Sequence, residues 1–171
     1  MKRLACAMAL ALLLPAAASA AEVGRITATA DGNRHDWVLI NDSDAQRNAA
    51  RQVMNGLDDV TLWGAVSAED PASPTGALRL HFSLVTIGQT PIAADATLQY
   101  LQNGYRSGYL AVEDGQTRVT ITRAETQTDG LHLAGDFTAR AAFSEQITLR
   151  LTDNLRTIEI AGSFEAVLPM E

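Results

Sequence analysis

The chain has 171 residues, 47 % of them hydrophobic and 5 % aromatic, and a formal net charge of −7. That length suffices for one substantial core and requires no second domain. Its acidity, with arginines scattered along the chain, excludes the clustered Lys and Arg that nucleic acid or an anionic lipid surface would need.

Residues 1–20 read as a secretory signal peptide: Met1, Lys2 and Arg3 are followed by an apolar stretch over 4–14, and Ala18-Ser19-Ala20 has the small residues of a cleavage site. The apolar stretch is shorter than the roughly 20 residues a membrane-spanning helix needs. Cleavage near Ala20 would leave a mature chain from Ala21, and the expected location is periplasmic or secreted. With Lys2 and Arg3 removed, eleven arginines face twenty carboxylates, a charge of −9. Cys6 is the one cysteine and leaves with the leader, so no disulfide is expected and stability must come from the core.

Residues 21–171 are expected to form a single all-β domain, an antiparallel β-sandwich or flattened barrel of about nine or ten strands with one short helix near 43–55. The signal is period-two alternation. Leu78, Leu80, Phe82 and Leu84 alternate with Arg79, His81 and Ser83; Val119 and Ile121 alternate with Arg118, Thr120 and Thr122. The expected strands are 23–30, 35–41, 59–66, 77–87, 95–102, 105–113, 117–124, 130–139, 145–152 and 156–168. Asp31-Gly32, Asn103-Gly104, Asp114-Gly115 and Asp129-Gly130 fall between runs as hairpin turns. The helix is read from "SDAQRNAARQVMN", in which Ser43 and Gln46 have capping-box spacing and Gly56 can end the helix.

Chemical constellations are sparse. The longest loop signal, "SAEDPASPTG" over 67–76, contains two prolines and has Glu69 and Asp70 side by side; neither this pair nor Asp58-Asp59 has the spacing of a dedicated calcium loop. No G-x-S-x-G elbow frames a serine, and His35, His81 and His132 lack zinc-ligand spacings. His81 and His132 occupy outward positions of alternating strands, which places them on a solvated sheet face. No catalytic residue, metal or cofactor is assigned. The candidate ligand-binding residues are Tyr100, Tyr105, Arg106 and Tyr109 around "QYLQNGYRSGYL", together with His35 and Trp37 after the first turn. Tyrosines with Arg106 and Asn103 at a hairpin suit a sugar or peptide, since the ring offers an apolar face and a polar tip.

A recurring pattern, "LHLAGDFTA" from Leu131 and "IEIAGSFEA" from Ile158, shares its inward positions and differs in its outward ones. It is therefore read as packing: each inward glycine marks a bulge or leaves room for a large neighbour, and the two strands are expected to be partners. "IEIAGSFEAVLP", "LHLAGDFTA" and "GRITATADGNRHDW" together resemble secreted bacterial β-sandwich proteins of uncharacterised function with a repeated I-x-G-x-F strand pattern. The resemblance implies an exported, all-β bacterial protein and supplies no catalytic residues. The functional reading is an exported noncatalytic binding or interaction module whose partner is a protein or small molecule. A carrier of a small apolar ligand and a hydrolase with an unrecognised site are the alternatives.

Overall fold

The structure, a computed structural model, describes residues 21–41, 49–54, 57–147 and 156–169. The expected signal peptide lies outside them. Ten strands lie among the described residues: β1 (Ala21–Ala30), β2 (Asn33–Asn41), β3 (Ala50–Met54), β4 (Leu57–Ala65), β5 (Ala77–Ile87), β6 (Thr90–Tyr105), β7 (Gly108–Ala111), β8 (Thr117–Gln127), β9 (Gly130–Ser144) and β10 (Thr157–Leu168). All pairings are antiparallel, in one sheet ordered β10-β1-β2-β4-β5-β6-β7-β9-β8, with β3 on β4 and a further β9–β10 ladder. That ladder closes the sheet into a ring, so two walls face each other across one core. Phe82 on β5 and Phe164 on β10 meet from opposite sides with ring centroids 5.9 Å apart.

The alternation seen in the sequence separates inside from outside. Leu78, Leu80, Phe82 and Leu84 are buried in the core together with Ile26, Leu39, Leu62, Leu98, Leu133 and Ile160. Two strand lines are interrupted. On one edge of β4, β2 pairs at Ala65 and Gly64, and β3 continues the line from Thr61 to Leu57. On one edge of β9, β7 pairs at residues 142–144 and β8 takes over from Ala139 to Gly130. Where β7 gives way to β8, the first half of β6 stays paired with β5 but has no ladder on its other side: β8 lies alongside it without pairing. The ring is therefore split along that seam and is not a regular barrel.

Two expectations are corrected. Residues 50–54 of the expected helix form β3 instead, and the rest of that segment, apart from the non-helical Ala49, lies outside the described residues. The edge of β4 beyond the end of β2 offers unpaired backbone groups, and pairing with them prevails over a helix propensity that is only a weak local preference. The expected strand over 145–152 is not formed at 145–147, and its remainder is undescribed. The expected Asn103-Gly104 turn is present at the β6–β7 reversal: the Arg106 N–H donates to the Asn103 carbonyl at 3.4 Å, closing a turn across Gly104 and Tyr105 with Gly104 at φ 64°. Asp31 and Gly32 have φ of 50° and 76°, the left-handed pair a tight hairpin needs.

The two related strands do pair. Phe164 stands opposite Gly135, and Phe137 stands opposite Gly162. Their ladder has no register break, and the bulge belongs to β8 at Thr122, between Ile121 opposite Gly135 and Arg123 opposite Ala134. Phe137 and Phe164 are both buried in the main core. A Cβ at Gly135 would lie 2.8 Å from the Phe164 ring, so this glycine leaves room for a cross-strand aromatic. At Gly162, which is half-buried, the space is instead taken by Ala28 of β1, whose Cβ would be 2.5 Å away.

Candidate functional site

Four of the six expected ligand-binding residues converge inside one end of the ring. His35 and Trp37, two apart on β2, share its inward face, and their rings stack at 5.4 Å. Tyr100 on β6 lies 5.7 Å from His35 and 6.0 Å from Trp37, and stacks on Tyr109 of β7 at 6.4 Å. Phe143 of β9 extends the series at 5.4 Å from Tyr109, and the Arg156 guanidinium lies over both Tyr109 and Phe143. Neither residue was singled out from the sequence. Phe143 continues the alternation of β9 through Ala141, a signal that was present, whereas Arg156 lies outside any periodic run.

This cluster is a support and not an open surface. Trp37 and Tyr109 are each 2 % exposed and Tyr100 8 %. Burial pushes the Tyr100 phenol above its usual value, with a smaller contribution from Tyr109. Gly64 flanks Trp37 so closely that a Cβ there would lie 2.7 Å from the Trp37 Cβ. The indole Nε1–H donates to the Gly76 carbonyl at 2.7 Å, tying the cluster to the end of the proline-rich loop.

The other two expected residues, Tyr105 and Arg106, line a recess just beyond that link. It measures about 760 Å³ and is bounded by Pro74 and Thr75 from the loop and by Asn103, Tyr105, Arg106 and Ser107 from the β6–β7 hairpin. The loop is held from below: the Gly76 N–H donates to the Leu101 carbonyl at 2.8 Å, and Trp63 Nε1–H donates to the Pro71 carbonyl at 3.3 Å. Trp63, Ala77 and Leu101, with Ile147 against them, form a small second apolar cluster. The hairpin is held by the Asn103 N–H on the Ser107 carbonyl at 3.0 Å and by the Asn103 Nδ2–H on Ser107 Oγ at 2.8 Å. Gly104, at φ 64°, sits against Pro74, where a Cβ would lie 3.3 Å from the proline Cγ. Tyr105 is 49 % exposed at the rim.

The histidines do not converge. His81 on β5 faces Thr61 and Thr97 across its ladders, His132 on β9 faces Val167 and Glu125, and His35 belongs to the aromatic cluster. Their expected solvated positions are also corrected, because the His81 and His132 side chains are only 28 % and 18 % exposed. His81 contacts Thr61 Oγ1 at 3.1 Å and Asp59 at 3.4 Å, and His132 contacts Asp129 at 2.8 Å. Each imidazole is held to the sheet by a carboxylate from its own strand pair or turn. Among the described residues no group of three or more His, Cys, Asp or Glu side chains is placed to hold a metal ion. Asp58 pairs with Arg51 at 2.9 Å. A smaller depression of about 360 Å³ over the outer face near Gly135 is lined by Arg25, Thr27, Asp136, Ser163 and Glu165, but Arg25 is paired with Glu22 and Glu165 with Arg123.

No protein-family model, curated protein or solved structure matches the chain.

Proposed function

We propose that the protein is an exported, noncatalytic binding module that takes its ligand in the recess between the proline-rich loop and the β6–β7 hairpin. The observation that carries this reading is the convergence of two segments far apart in sequence, 74–75 and 103–107, around one open space. Its volume of about 760 Å³ falls within the roughly 300–1,000 Å³ of small-ligand sites. Its lining combines an apolar wall, Pro74 and the Tyr105 ring, with amide, hydroxyl and guanidinium groups, and it rests on a rigid aromatic cluster. A binding loop on a stiff scaffold is the usual arrangement for recognition without chemistry.

The interior supports a surface site over a carrier cavity. Trp37, Phe82, Tyr109 and many leucines pack into the space enclosed by the ring. The recess has the Thr75 and Ser107 hydroxyls, but its lining contributes no carboxylate or imidazole to activate them, which favours binding over hydrolysis.

Native mass spectrometry of protein purified from its own host tests the reading. Wild-type protein is expected to retain a small ligand that the Tyr105→Ala, Arg106→Ala double variant does not. Identical retained molecules in both, or none in either, would overturn it.

A further inference from the structure

We infer that the recess recognises a carboxylate, specifically the C-terminal carboxylate of a peptide, through Arg106 with help from Ser107 and Thr75; this rests on the recess being the ligand site. Charge is the first reason. The chain as a whole is acidic, at −7, yet no carboxylate lines this recess and one guanidinium does. Arg25, Arg34, Arg51 and Arg123 are each ion-paired with a carboxylate. Arg106, like Arg79, Arg118, Arg140 and Arg156, makes no ion pair among the described residues, and it is the one arginine of the lining. A guanidinium presents its N–H groups as a fixed fork that matches a carboxylate.

Hydroxyl orientation is the second reason. Ser107 Oγ accepts the Asn103 Nδ2–H at 2.8 Å, which fixes the oxygen in place and leaves its own proton to donate. Asn103 is itself fixed by the Ser107 carbonyl at 3.0 Å. Thr75 adds a second hydroxyl on the loop side of the recess. The lining thus brings polar groups from two segments around one space, and with no carboxylate among them its one formal charge is positive, which fits an anion.

The walls supply the third reason. Pro74 and the Tyr105 ring present apolar surface on the loop and hairpin sides of the same space, suited to the side chain next to a terminal carboxylate. The strands beneath offer no free edge to a peptide backbone, because Leu98 to Tyr100 of β6 pair with both β5 and β7. The peptide end is therefore read by side chains and not by added strand pairing.

The test uses the ¹⁵N-labelled protein and a pool of N-acetylated tripeptides, once with free C-termini and once amidated, with oligogalacturonate as an acidic sugar. The free-acid pool is expected to shift the amides of 75–76 and 103–107 saturably and to bind roughly fivefold or more tighter than the amidated pool. Arg106→Gln, a surface change that leaves the hairpin hydrogen bonds in place, should bring the two pools to the same affinity. Equal binding of both pools at these amides would overturn carboxylate recognition while leaving the recess as the ligand site. Binding of oligogalacturonate without the free-acid peptides would overturn the peptide assignment. Shifts elsewhere, or none with any probe, would overturn both the inference and the site.

Discussion

Gly162→Ala is the sharpest perturbation of the fold, because its cost follows from the closure of the ring. A Cβ on Gly162 would lie 2.2 Å from the Thr27 carbonyl oxygen, 2.5 Å from the Ala28 Cβ and 2.7 Å from the Ala28 Cα. Most of these atoms are backbone of β1, held in register opposite β10 from Gly24 to Ala30. They cannot yield without moving a strand. Overpacking of this kind costs about 1–3 kcal/mol, and the loss of glycine's unfolded-state freedom returns only about 0.4–1 kcal/mol. The net expectation is a loss of about 1–2 kcal/mol, or a Tm lowered by about 2–8 °C for a chain of this size.

Gly135→Ala supplies the contrast. There the obstructing groups are the Thr120 carbonyl oxygen at 2.6 Å and the Phe164 ring at 2.8 Å and 3.1 Å. A flexible leucine in place of Phe164 removes one of the two walls. Urea unfolding of a double-mutant cycle should therefore show Gly135→Ala costing at least about 0.5 kcal/mol less in a Phe164→Leu background. Gly162→Ala should cost the same in both backgrounds within about 0.5 kcal/mol, since its nearest contacts are on β1. A stabilising Gly162→Ala, or no coupling between Gly135 and Phe164, would refute the packing derived for these two strands.

Trp37→Phe removes the hydrogen bond to the Gly76 carbonyl and part of a buried ring, and is expected to cost about 2 kcal/mol in urea unfolding and to speed amide exchange at 75–77. The hydrogen bond from His132 holds the Asp129 carboxyl below its usual value, so its contribution to stability is present above the ordinary carboxylate range and is lost as pH falls through the lowered value. In carboxyl NMR titrations His132→Ala should raise the Asp129 midpoint, and an unchanged midpoint would contradict the pairing. Tyr100 has the opposite sign: its phenol is raised by burial, so its stabilising effect is full below the usual phenol value and is lost as pH rises through the raised one. Tyr100→Phe should remove the late component of a spectrophotometric phenol titration, and a titration without that component in wild type would refute the assignment.

How far the fold was legible depended on how much of each element was decided locally. β5 was read at 77–87 because Leu78, Leu80, Phe82 and Leu84 give an unbroken inward row, and it spans Ala77–Ile87. β9 was cut short at 139, although Ala141 and Phe143 continue the row to Ser144, because small residues dilute the pattern. Asn103-Gly104 was legible as a turn because its signal is local: the Arg106 N–H closes on the Asn103 carbonyl across Gly104 and Tyr105. Gly104 takes φ 64° in that turn and fits against Pro74. Tyr105 and Arg106 were visible as chemistry, but their partners Pro74 and Thr75 lie about thirty residues away, and only tertiary pairing brings the two segments together. His132 was misjudged for a related reason: its outward position is real, yet the Asp129 turn folds back over it.

The two interrupted strand lines explain why the recess lies where it does. Each interruption lets the sheet change partners along one edge, from β2 to β3 on β4 and from β7 to β8 on β9. The cost falls on the far end of the ring, where the first half of β6 and the outer edge of β8 face each other without a ladder. Unpaired edges invite association with other chains, and a bulge is one device that blunts them. Both strands carry one: β6 has its extra residue beside Asp95, which takes φ 52°, and β8 has its extra residue at Thr122. At the opposite end β6, β7 and β9 pair without a gap from Leu98 to Ser144, and the aromatic cluster fills the interior behind them. The two bulged, unpaired edges thus lie away from the recess, and the hairpin that carries Tyr105 and Arg106 springs from the continuously paired end. A ligand site needs its side chains held within a fraction of an ångström, and that end of the ring is the one that can hold them.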